Sequence, residues 1–168
     1  MKVLFIISSL FIVLSCNGQQ DKIEYSEFIK QVIAQRDSFS AKYSEADSIG
    51  KDSVVNLARI YLINTLTNDI FPYWYGTKWD FNGITRTPKK GRIACGYFVT
   101  NILTDVGFKI PRIKWAQSAS EVFIKKLAFG NINRFSDKHI SVIEEFLKKS
   151  GNGLYLVGLD CHVGFIYV

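Results

Sequence analysis

The sequence predicts an α+β fold, from two periodicities and the order in which they occur. Apolar residues recur at helical spacing from Ile23 to Leu147, whereas the tail carries short β-type runs; helices first and strands last is the α+β order. With 168 residues, 48% hydrophobic and 14% aromatic, the chain has enough apolar material for one domain with a substantial core. That domain is assigned to residues 23–168, and no internal repeat divides it.

Ile23, Phe28, Ile29, Val32 and Ile33 define a first helix, which the polar stretch 38–52 loosens and a break near Gly50 ends. Ser53 is the expected cap of a second helix with Val54, Leu57, Ala58, Tyr61, Leu62 and Leu66 on one face, stopping before Pro72. The aromatic run from Pro72 to Phe81, bounded by Asn82-Gly83, predicts a hairpin able to wall a cleft, and 87–91 reads as a loop. After Cys95, residues Phe98, Val99, Ile102, Leu103 and Val106 form an apolar stripe that Gly107 terminates, with Thr100, Asn101, Thr104 and Asp105 opposite. Pro111 and Trp115 belong to an irregular connection. Ser120 or a neighbour starts a helix through Val122, Phe123 and Leu127; Ser136 caps another that carries Ile140, Ile143, Phe146 and Leu147 and ends at Gly151. The tail reads as two strands joined tightly around Asp160-Cys161.

The first fifteen residues combine one basic residue, Lys2, with an apolar run too short to span a bilayer comfortably, which is the form of an export signal. Val13-Leu14-Ser15-Cys16 resembles a bacterial lipobox, which implies acylation of Cys16, a tether over 16–22 and anchorage to a membrane of the cell envelope. An ordinary secretory peptide cut after Gly18 is the alternative. The net charge of +6 favours anionic partners such as cell-wall polymers or lipid headgroups, but without clustered basic runs it gives no support for nucleic acid. Three cysteines are too few for a disulfide scaffold, and without a C-x-x-C pair no metal or other cofactor is expected.

Cys95 carries the chemistry. It opens a predicted helix, whose unpaired N–H groups and dipole favour a thiolate and can bind an oxyanion, and Lys89, Lys90 and Arg92 precede it. His162, placed on a strand face shared with Gly164 and Ile166, is the expected base, on a face able to meet the Cys95 helix. His139 falls in the first turn of an amphipathic helix and is the poorer base. The plainer alternatives are a helix-start cysteine packed as a small hydrophobe, a strand-end histidine bonded to water, and a Cys95–Cys161 disulfide.

Four segments in order, Pro72-Tyr73-Trp74-Tyr75-Gly76-Thr77, Ala94-Cys95-Gly96-Tyr97-Phe98-Val99, Ile110-Pro111-Arg112 and His162-Val163-Gly164-Phe165-Ile166, resemble the motifs of NlpC-type cell-wall peptidases. Related CHAP-type amidases share the cysteine-then-histidine order. The resemblance covers residue 71 onward and implies a papain-like fold, N-terminal helices on a small antiparallel sheet, with Cys95 as nucleophile, His162 as base and Tyr73 lining the site. It implies cleavage of peptide bonds of peptidoglycan through an acyl-enzyme. The family's Gly-Gly is here Gly76-Thr77, and its Asp-Cys-Ser-Gly is Ala94-Cys95-Gly96-Tyr97. Its third polar residue lies on a strand after the histidine, whereas this sequence runs six residues past His162, which implies a C-terminally incomplete fold, a substitute group elsewhere or a degenerate site. The competing expectation is a non-catalytic envelope lipoprotein that binds cell-wall glycopeptide on a platform of Tyr73, Trp74, Tyr75 and Trp79.

Overall fold

The computed structural model describes residues 23–168, so the signal, lipobox and tether readings, Cys16 among them, lie outside the described residues. Helices dominate and the strands are few, in the α+β order. Helix α1 (Tyr25–Glu45) continues well into the polar stretch expected to weaken it, and only two residues separate its end from the start of α2 (Ser48–Asn64). Asp47 makes the boundary: it is the N-cap of α2, accepting at 2.7 Å from the Gly50 N–H. Gly50 therefore lies inside α2, and Ser53 caps nothing.

Helical structure also continues past the expected stop. A π-helical turn over Thr65–Ile70 leads into α3 (Phe71–Trp74), and the Phe71 N–H bonds to the Leu66 carbonyl five residues back. Pro72, which has no N–H to give, lies directly after the π-helical turn, in the four-residue segment that ends the helical run. The expected aromatic hairpin is absent at this position because Phe71–Trp74 is helical. Instead β1 (Lys78–Trp79) pairs in parallel with β2 (Arg92–Ile93), and the intervening chain turns at Asp80, which accepts from the Asn82 and Gly83 N–H groups. Gly83 serves close approach here: a Cβ on it would lie 2.4 Å from the Ile93 nitrogen.

Helix α4 (Cys95–Asp105) is the centre of the molecule. Its apolar stripe divides between two clusters, Ile102 and Val106 with Leu66, Ile70 and Trp74, and Val99 and Leu103 with Trp115, Phe123 and Val163; Phe98 and Phe165 pack against both. The helix ends as expected in a left-handed glycine, Gly107 at φ +94°, with the Phe108 N–H reaching back to the Leu103 carbonyl. The irregular connection contains a short helix, α5 (Arg112–Ala116), laid across the start of α4, and α6 (Ser120–Leu127) follows. Helix α7 (Ile140–Ser150) is capped by His139 rather than Ser136, the His139 Nδ1 accepting from the Ser141 N–H at 3.3 Å. Strands β3 (Leu154–Gly158) and β4 (Val163–Tyr167) pair antiparallel around Asp160-Cys161, as the sequence predicts.

Candidate active site

Cys95 is the first residue of α4, and its partly buried side chain packs on the cluster of Val99, Trp115, Phe123 and Val163. No side chain caps this helix, and among the described residues the N–H groups of Cys95, Gly96 and Tyr97 have no hydrogen-bond acceptor. Three unpaired donors thus open α4 beside a free thiol. Gly96 makes the crossing of α5 possible, since a Cβ there would lie 2.3 Å from the Ala116 carbonyl oxygen. Cys161 is a second free thiol, exposed at the hairpin tip, so the Cys95–Cys161 disulfide does not form.

The hairpin places His162 otherwise than expected. Gly158 pairs with Val163 and Leu156 with Phe165, and these face the core: a Cβ on Gly158 would run into Ser120 and Ile124 of α6. Alternation then puts His162, Gly164 and Ile166 together on the opposite face. His162 is exposed, its backbone bonded to Leu159 across the two-residue turn, and a Cβ on Gly164 would meet nothing within 4 Å. Val163 and Phe165 are the residues that meet the Cys95 helix, because their larger apolar groups take the buried face. No hydrogen bond joins Cys95 to His162 among the described residues. His139, the poorer base, is exposed and used as a helix cap.

The four aromatics do not form one platform. Trp74 is 4% exposed, its ring edge-on to Phe98 and its Nε1 donating to the Tyr25 hydroxyl at 3.1 Å. Tyr73 packs against Tyr25 and Phe28 and donates to the Ile23 carbonyl at 2.7 Å; burial first, then Asp69 and Glu24, push its phenol upward. Tyr75 and Trp79 are exposed, and Trp79 lies beside Ile93, two residues before Cys95.

The sequence reading missed a buried polar network on the far side of α4. Asn101 is fully buried: its Nδ2 donates to the Thr85 carbonyl, and its Oδ1 accepts from Arg86 at 3.1 Å and Arg112 at 2.9 Å. The second arm of the Arg86 fork reaches Asp105 at 2.8 Å, and Asp105 accepts from the Tyr25 hydroxyl at 2.7 Å. Burial raises the Asp105 carboxyl above its ordinary range, against the downward pull of Tyr25 and Arg86. Burial and the Asp105 carboxylate together hold the Tyr25 phenol far above its own. The network fastens the 80–91 excursion and α1 to the helix that bears Cys95. Asn101 and Asp105, four residues apart on one side of α4, were its trace in the sequence.

Comparison of the chain with family models, with curated proteins and with solved structures finds no match. Among the described residues no helix is long and apolar enough to cross a membrane, and no group of side chains is placed to hold a metal ion.

Proposed function

We propose that this chain is an exported, lipid-anchored cysteine peptidase or amidase of papain-like fold that cleaves a peptide bond of peptidoglycan through a Cys95 acyl-enzyme. The observation that carries the reading is a free, partly buried thiol on the first residue of a central helix whose leading N–H groups are unpaired. In the mechanism the thiolate attacks the carbonyl carbon, the N–H groups of Cys95, Gly96 and Tyr97 bind the resulting oxyanion, and imidazolium His162 protonates the departing amine. Water then releases the acyl group. Because His162 leaves β4 on the outer face, the mechanism requires the 159–162 turn to swing toward the thiol when substrate binds.

Digestion of muropeptides by wild type, Cys95→Ala and His162→Ala tests this. Cys95→Ala is expected to abolish turnover while retaining binding, and His162→Ala to lower kcat about 10²- to 10⁴-fold. Turnover that survives Cys95→Ala removes the hypothesis. The outward placement of His162 favours one other reading, a non-catalytic cell-wall-binding lipoprotein that presents Tyr75 and Trp79. Under that reading wild type and Cys95→Ala bind equally and neither turns over.

A further inference from the structure

The parallel pairing of β1 with β2 sets Lys78 directly beside Arg92, both exposed. Like charges in register across a ladder destabilise it unless a counter-charge is supplied. A third cation joins them from the 87–91 loop: Lys89 is held at φ +61°, uncommon for a residue with a side chain, and its N–H donates to Thr77 Oγ1 at 2.8 Å. Gly76, Lys78, Lys89, Gly91 and Arg92 line an open cavity of about 300 Å³ with no acidic residue in its wall. Arg92 is offset by Asp80, Nη1 to Oδ2 at 3.2 Å. Lys78 and Lys89 have no ion-pair partner among the described residues. Gly76 and Gly91, at φ +80° and +78°, leave the rim without Cβ atoms, so a ligand can approach the backbone closely.

Arg92 precedes Cys95 by three residues, a reach of at most about 10 Å along extended chain. We propose that this pocket binds a carboxylate of an acidic peptide whose backbone runs on toward Cys95. Anion capture needs no thiol chemistry; the proposal rests on the amide-cleaving reading only for the peptide nature of the ligand. Lys78 and Lys89 supply the free positive charge, and the Arg92 guanidinium, already oriented by Asp80, offers its remaining N–H groups to the carboxylate.

The test is fluorescence anisotropy with purified full chain at low ionic strength, using a labelled tetra-alanine peptide with one glutamate inserted and its glutamine counterpart. The glutamate peptide is expected to bind about tenfold more tightly. Lys78→Gln/Lys89→Gln should erase that preference with an unchanged melting curve, and Cys95→Ala should keep it. Absence of a glutamate preference in wild type, or its persistence in the well-folded double variant, overturns the proposal. So does displacement of the peptide by inorganic phosphate at concentrations where acetate has no effect, since the pocket would then be a phosphate site. Wild type that prefers the glutamate peptide yet leaves muropeptides uncut removes the catalytic reading and leaves this one standing.

Discussion

Cys95 and His162 stand at the ends of two elements that differ in almost every physical respect. Helix α4 is buried on its apolar stripe and on most of its polar side, gripped by α1, α5, the hairpin and the Arg86 fork. Hairpin β3–β4 is buried on one face only, and His162 belongs to the other. The Cys95 thiol is therefore fixed by packing, whereas the His162 imidazole is fixed by little more than a two-residue turn. Under the proposed mechanism, side chains held this differently put the demand for rearrangement on one partner, His162.

One substitution made in both regions gives the largest contrast. Gly96→Ala gains roughly 0.5–1 kcal/mol of helix propensity but drives a methyl into the Ala116 carbonyl, a backbone atom that cannot step aside, so overpacking prevails and a net loss of about 2–3 kcal/mol is expected. Gly164→Ala, whose Cβ meets open space, should fall within about 0.5 kcal/mol of wild type. Equal costs in urea unfolding would erase the distinction between the two regions.

Next in size is Arg86→Ala. Asp105 is 6% exposed and Arg86 45%, so solvent screening limits the loss to about 1–2 kcal/mol at neutral pH. The sign of its pH dependence follows from the raised Asp105 pKa: the native state holds that proton more tightly than the unfolded chain, so the contribution is full below the unfolded carboxylate pKa and is lost as pH rises. Removing Arg86 removes a downward influence and widens that loss, so the deficit of Arg86→Ala should shrink on acidification. A deficit independent of pH would mean that Asp105 is not its source.

A smaller loss than that of Arg86→Ala is expected for Tyr25→Phe, about 1 kcal/mol for the lost hydrogen bonds near neutral pH. Because the Tyr25 phenol is raised, its stabilisation persists below the ordinary phenol pKa and is lost as pH climbs beyond it. Alkaline unfolding curves of wild type and Tyr25→Phe should therefore converge; parallel curves would count against the assignment.

Much of this architecture was legible because burial writes a period into the chain. The stripe from Phe98 to Val106, the glycine stop at Gly107 and the terminal hairpin all follow from such periods. What escaped was decided by tertiary contacts. Pro72 reads as a helix stop, yet the helical run continues through a π-helical turn and carries Pro72 within it as far as Trp74. Gly50 reads as a break, yet the Asp47 side chain starts the helix ahead of it. The polar side of α4 reads as a solvated face, because Arg86 and Arg112, which fill it, come from outside the helix. The face of His162 was legible in principle: Val163 and Phe165 offer the core more apolar surface than Gly164 does.

Asp105 also has a consequence for the order of folding. Its two partners lie at different distances along the chain, Arg86 at 19 residues and Tyr25 at 80. Closing the longer loop costs about 1 kcal/mol more in chain entropy, so the Arg86 arm is expected to close first and α1 to dock later. A single carboxylate thus joins an early local unit, containing the thiol, to the last long-range contact, and pulse-labelled amide exchange should show α4 protected before α1.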